Sequence, residues 1–164
     1  MKISVAQTHP IKGNVYANIC KHRILIDIAS SFDADAIFFP ELSLTGYEPN
    51  LANELATDIE DLRFRDFQQI SDNNKISIGV GMPTTNLGVE ISMIVFQPKK
   101  PRLIYSKQQL HVDELPYFEK VLNQVILEIG NKKIAPAICY ESLIFDHSDR
   151  AVLLGAEVDR KSVV

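Results

Sequence analysis

At 164 residues and 18.4 kDa the chain has length for one hydrophobic core, and a single domain over residues 1–164 is expected. Hydrophobic residues make up 46 % and charged residues 23 %, an ordinary globular balance. A net charge of −4 and a pI near 5.5 give no electrostatic reason to expect nucleic acid or an anionic membrane as partner.

The elements follow in chain order. The N-terminal "KISVAQ" alternates apolar and polar residues, which predicts a strand and not the apolar segment of a signal peptide. "NVYANICKHRILIDIASSF" predicts a helix capped by Asn14, with Val15, Ile19, Leu25 or Ile26, and Ala29 at helical spacing. "DAIFF" predicts a short buried strand. "DLRFRDFQQISDN" predicts a second amphipathic helix facing inward through Leu62, Phe67 and Ile70. "KISIGVG", "VEISMIVFQ" and "PRLIYS" read as three successive strands, the last two separated by the turn residues "PKKP". "VLNQVILEI" and "KKIAPAIC" predict a hairpin across "GNK". A last helix is expected over residues 141–154, "ESLIFDHSDRAVLL". Helices at both ends with adjacent antiparallel strands between them predict a layered α/β sandwich. No apolar run approaches the roughly 18 residues that a membrane span needs.

Cys20 and Cys139 are too far apart for a CxxC unit and suggest no disulfide framework, so a reducing cytoplasm is expected. The four histidines have no metal-ligand spacing, and neither metal nor cofactor is expected. No phosphate-binding glycine loop occurs; "GVGMP" is short and lies in a strand pattern.

Three residues stand where a strand gives way to a loop or helix, the usual place for reactive groups in α/β sheets: Glu41 after "DAIFFP", Lys107 after "PRLIYS", and Cys139 at the end of "KKIAPAIC". Each also has a purely structural reading, as a turn residue, a solvated surface amine and a small buried hydrophobe respectively. Together they do complementary jobs. A free thiol is mostly protonated at neutral pH, a carboxylate can take its proton, and a following helix N-terminus favours the thiolate. An ammonium keeps the carboxylate ionised and can hold an oxyanion. The three suffice for nucleophilic acyl transfer without histidine. Cys20 keeps the structural reading.

"FFPELSLTGYEP", "IYSKQQLHVDELPYFEK" and "IAPAICYESLIF" resemble, in this order, motifs of the nitrilase superfamily of carbon–nitrogen hydrolases. The opening "ISVAQTHPIKGNVYANICK" is similar to that family's first strand and helix. The resemblance implies an α-β-β-α sandwich, incomplete here at the C-terminal end, and hydrolysis of a small amide or nitrile through a cysteine thioester. It implies Glu41 as general base, Lys107 as oxyanion-stabilising cation and Cys139 as nucleophile. Glu114 in "DELPYF" matches a second glutamate that holds the lysine, with a loop salt bridge as the alternative. The Tyr140 backbone N–H would complete the oxyanion hole while its side chain packs. A homodimer is open to such a protein.

Where the family's next buried strand should continue after "GAEV", the chain runs into "DRK". Either a truncated member, with exposed sheet edges, or a naturally short variant that dimerises to cover the gap is therefore expected, in both cases with an incomplete pocket. The rival expectation is a catalytically silent protein that binds a partner through its open edge.

Overall fold

The computed structural model describes residues 1–86, 88–122 and 124–162, the last four of these as backbone only. Two sheets are present. The first has five strands in the order β1 (Ile3–Val5), β2 (Ala36–Phe38), β3 (Ser77–Thr85), β4 (Val89–Phe96) and β5 (Leu103–Ser106). β1, β2 and β3 run parallel; β3, β4 and β5 are joined antiparallel. The second sheet is β6 (Leu127–Ile129), β7 (Lys132–Ile138) and β8 (Val158–Ser162), with β7 antiparallel to β6 and parallel to β8.

The alternation seen in the sequence sorts side chains into two cores. Ile78, Val80 and Met82 of β3 and Ile94 and Phe96 of β4 face two helices, α1 (Val15–Ser31) and α3 (Arg65–Asn74), between which the chain forms the single-turn α2 (Ala52–Leu55). The opposite face supplies Phe38, Ile91, Met93, Val95 and Tyr105, which pack on Leu127, Ile129, Ile134 and Ile138 of the second sheet. The helix α4 (Phe145–Leu153) is pinned to the second sheet where His147 Nε2–H donates to the Pro136 carbonyl at 3.0 Å. The expected α-β-β-α layering is thus the architecture observed. α4 leaves Phe145 and Leu153 both 86 % exposed, giving it an apolar outer face.

The Asn14 side chain caps α1 by accepting from Ala17 N–H at 3.1 Å. Its buried stripe is Val15, Asn18, Ile19, His22, Ile26 and Ala29, so two polar residues sit where the sequence promised only apolar ones. Both are satisfied. Asn18 bonds Ile11 at N and O and the Leu44 carbonyl. His22 Nδ1–H donates to the Asn18 carbonyl at 2.7 Å, which makes Nε2 the acceptor of the Ser43 hydroxyl at 2.9 Å. Its ring stacks on Phe39 at 4.0 Å. Burial lowers the His22 pKa from 6.5 to about 4, against the opposing pull of the Asn18 carbonyl. A depressed folded pKa means that the unfolded chain takes up the proton first, so stability falls as pH drops from 6.5 towards 4. The full loss corresponds to about 3 kcal/mol for a shift of this size. Urea midpoints followed from pH 7 to pH 4.5 should fall more in the native chain than in His22→Leu; parallel curves would show that His22 is not the titrating group.

Several elements differ from expectation. The helix expected over residues 61–73 begins as a 3-10 turn at Leu62–Phe64, capped by Asp61, before α3. The tighter turn rotates Leu62 outward, where it is 84 % exposed, and Phe64 takes its place in the core. Only residues 127–129 of the strand expected at 121–129 pair with β7, and Asn123 of that segment lies outside the described residues. The turn is Gly130-Asn131, with Ile129 opposite Lys132. The final helix is broken: residues Cys139–Leu143 form a 3-10 turn, and α4 starts only at Phe145. Asp159, Arg160 and Lys161 do not end the last strand, because backbone pairing to β7 continues through Ile138 opposite Ser162.

Candidate active site

Glu41 arrives three residues after β2. The Phe39 N–H donates to Gly79 O at 2.9 Å, and the chain turns at Leu42, whose φ is +50°, so that Leu44 N–H reaches Gly81 O at 3.0 Å. The turn lies so close to β3 that a Cβ on Gly81 would stand 2.4 Å from both Leu42 N and Pro40 O. No side chain flexes out of that contact, since both neighbours are backbone. Gly81→Ala should therefore displace the Glu41 turn and cost about 1–3 kcal/mol, as overpacking does. Thermal unfolding checks this; a Tm equal to that of the native chain would mean that the turn has slack.

Lys107 extends the β5 pairing by one residue, its N–H donating to Ile91 O at 2.8 Å. Its side chain is fully buried, and Nζ donates to Glu41 Oε1 and to Glu114 Oε1, both at 2.7 Å. Glu114 sits in the following turn, where its Oε2 accepts His111 N–H at 2.7 Å and its Oε1 also accepts the Tyr47 hydroxyl at 3.2 Å. Glu41 Oε2 is buried with no N–H or O–H donor among the described residues.

Cys139 follows β7 with φ +47°, a left-handed backbone that costs a non-glycine residue energy and turns its side chain sharply off the strand. The thiol is half-buried. Cys139, Glu41, Glu114, Tyr47, His111 and Tyr140 line one cavity of about 580 Å³, with Ser142 and Leu143 also on its lining. Lys107 lies behind this wall, held by the two glutamates.

The charges are coupled. Burial raises the Glu41 pKa, with the Lys107 cation opposing it. Burial by itself would lower Lys107, but Glu41 and Glu114 outweigh that and raise it, so the ammonium is retained. Burial and the Glu41 charge raise the Cys139 thiol, with Lys107 and the Tyr140 N–H pulling the other way. Burial likewise raises the Tyr47 phenol. The resting site thus holds a neutral thiol beside a carboxylate able to take its proton. The expectation of a thiolate favoured by a helix N-terminus is corrected here: a five-residue 3-10 turn has little dipole, and burial dominates.

The profile of the carbon–nitrogen hydrolase family matches residues 2–159. The chain belongs to the carbon–nitrogen hydrolase family. Among curated relatives it is 27 % identical over 156 residues to a glutamine-dependent NAD(+) synthetase of Thermotoga maritima, a match that covers 85 % of this chain and 25 % of the synthetase. An amidase from Nesterenkonia sp. has the same fold with a TM-score of 0.85 and 20 % identity, covering 98 % of this chain and 64 % of that one. A glutamine-dependent NAD+ synthetase from Acinetobacter baumannii aligns with a TM-score of 0.81 and 22 % identity, over 98 % of this chain and 32 % of that one. The carbon–nitrogen hydrolase chain described here thus spans about a quarter of the length of the curated relative and roughly two thirds of the amidase.

Glu41, Lys107 and Glu114, singled out by their motifs, come together as one ion cluster, and Cys139 shares the cavity with both glutamates. The Tyr140 ring packs edge-on against His111 at 5.4 Å, while its N–H faces the sulfur. Sequence reasoning missed Tyr47, His111 and Asp113 in this carbon–nitrogen hydrolase site. His111 and Asp113 pair with each other at the rim. The signal for Tyr47 was its place in the motif "FFPELSLTGYEP", where only Glu41 was singled out.

Proposed function

We propose that the chain carries a thiol-dependent amide hydrolase site in which Cys139 is the nucleophile, Glu41 the general base and Lys107 with the Tyr140 N–H the oxyanion-binding donors. The observation that carries this reading is the buried Lys107 bridging Glu41 and Glu114 at 2.7 Å each, directly behind the two glutamates in a cavity that Cys139 also lines. A buried triad of this kind is expensive to maintain without a use.

The reaction runs in two halves. Cys139 Sγ attacks the amide carbonyl carbon as its proton passes to Glu41 Oε2, the oxygen with no N–H or O–H partner. The carbonyl π pair moves onto oxygen, and the anion is held by the Tyr140 N–H and by Lys107, which has two of its three N–H bonds committed to carboxylates. A donor of this kind is typically worth about 2.7–4 kcal/mol. On collapse the C–N bond breaks, the amine leaves with the proton from Glu41, and a thioester remains on Cys139. Glu41 then takes a proton from water, whose oxygen attacks the thioester, and the proton returns to the sulfur as the acid departs. Glu114 keeps Lys107 in register throughout and takes no proton.

The substrate reading is a small primary amide. The Nesterenkonia amidase is known with butyramide bound in a cysteine variant and with acrylamide added at its active-site cysteine, which supports a short carboxamide here. A second reading, favoured by the match to glutamine-dependent synthetases, is that the amide is the side-chain carboxamide of glutamine. A third is a silent fold that only binds a partner. Mass spectrometry after rapid acid quench separates them. A butyryl adduct on Cys139 from butyramide, absent in Cys139→Ala, supports the first; a glutamyl adduct from glutamine alone supports the second; an unmodified mass with both leaves only the third.

A further inference from the structure

Glu141, two residues past the nucleophile, has no place in the reaction above, yet it is completely buried and is the acceptor of four hydrogen bonds. Its Oε2 accepts Ile138 N–H and the Tyr105 hydroxyl, each at 2.7 Å. Its Oε1 accepts Gln108 N–H at 2.5 Å and Gln109 N–H at 3.3 Å. The pattern of those donors is specific. Ile138 immediately precedes Cys139, and Gln108 immediately follows Lys107. The two segments belong to different sheets, β7 in the second and β5 in the first, and no strand pairing joins them. One carboxylate therefore stitches the backbone that carries the nucleophile to the backbone that carries the cation.

The same contact bears on the strained turn. Cys139 keeps φ +47° between Ile138, whose N–H is held by Oε2, and Glu141 itself, whose backbone carries on the 3-10 turn. Side chain and main chain of Glu141 thus close a small ring around the nucleophile. All four partners donate, so only a group with two acceptor oxygens serves. An amide in its place would turn an NH2 group onto at least one backbone N–H.

We propose that Glu141 is a positioning residue that sets the distance between the Cys139 sulfur and the Lys107 ammonium through its backbone contacts, with Tyr105 as its anchor. The proposal rests on the amide hydrolase reading for its kinetic consequence but not for its geometry. With the stitch cut, the Lys107 loop and the Cys139 turn move independently, and transition-state contacts suffer more than ground-state binding.

The test compares the native chain with Glu141→Gln, Glu141→Asp and Tyr105→Phe by two readouts. The first is butyramide hydrolysis. Glu141→Gln should lose about a hundredfold in kcat with KM within about threefold, the split expected when only transition-state contacts are lost, and Glu141→Asp should recover part of kcat. The second needs no turnover: alkylation of Cys139 by iodoacetamide at pH 7, counted against exposed Cys20 in the same molecules. Lys107 favours the thiolate, so the Cys139 to Cys20 ratio should drop at least tenfold in Glu141→Gln and less in Tyr105→Phe. A native chain inactive on both butyramide and glutamine, with a lowered ratio in the variants, would refute the hydrolase reading and leave the positioning role standing. Folded Glu141→Gln with the native ratio and native kcat would overturn the positioning role. Should Glu141→Gln fail to fold, Tyr105→Phe decides: an unchanged ratio there counts against the stitch.

Discussion

Replacing Lys107 by methionine should be the most damaging of these changes to stability, and it should impair the chemistry as well. The variant keeps a side chain of similar length in the same buried space but leaves Glu41 and Glu114 facing each other without a cation. Removing one partner from a buried ion cluster costs about 3–5 kcal/mol, because an uncompensated charge stays behind. The remaining carboxylates can relieve this only by taking up a proton. Burial already raises the Glu41 pKa and Lys107 opposes that shift, so without the cation Glu41 is raised further and Lys107→Met should regain stability as pH falls towards the carboxylate range. Urea unfolding of variant and native chain at pH 7.5 and pH 5.5 checks the sign, because His22 acts equally on both: a deficit relative to the native chain that grows on acidification contradicts the like-charge account. Activity should fall by about 10²–10³, the loss expected for one oxyanion donor.

Glu41→Gln should behave in the opposite way on stability. Burial raises the Glu41 pKa, so its ionised form is a net cost above the unfolded carboxylate pKa, and that cost disappears as pH falls and the proton is taken up. Glutamine keeps an oxygen for the Lys107 bond and removes a charge from a cluster that carries two negative charges against one positive. The variant should be as stable as the native chain at neutral pH, or more so, and less active by about 10²–10⁴ for loss of a general base. Thermal unfolding and initial rates on butyramide measure both halves. A large loss of stability in Glu41→Gln would show that the Glu41 charge holds Lys107 in place more than burial penalises it. Together the two variants distinguish a site arranged for reaction from a salt bridge that merely holds loops together, since the latter would weaken alike on losing either partner.

The readings that succeeded share a cause. Alternation in "KISIGVG" and "VEISMIVFQ" follows from the two-residue repeat of a strand, and the structure puts Ile78, Val80, Ile94 and Phe96 on one face as that repeat requires. Glu41, Lys107 and Cys139 were legible because each closes a strand, and the ends of strands in layered sheets gather at shared edges. Leu62 failed because a 3-10 turn and the first turn of an α-helix have nearly the same local sequence preferences, and a single cap at Asp61 decides between them. The broken last helix failed for a related reason. Nothing local to "CYESL" reveals that the Glu141 carboxylate turns back to Ile138 N–H and across to Gln108, residues whose nearness depends on how two sheets stack.

His22 and Tyr47 make the same point from the polar side. A histidine in an amphipathic stripe and a tyrosine after a glycine read as ordinary, and their roles arise from Ser43 and Glu114, which are remote in sequence. The order of strands and helices, the inward faces of most of them, and the placing of an acid, an amine and a thiol just past strand ends were written in the chain itself, because they depend on short-range periodicity and residue chemistry. The pairing of Lys107 with two carboxylates, the upward shift of the Cys139 thiol and the stitch through Glu141 belong to tertiary structure alone, because burial and charge coupling act through space between segments that the linear order keeps far apart.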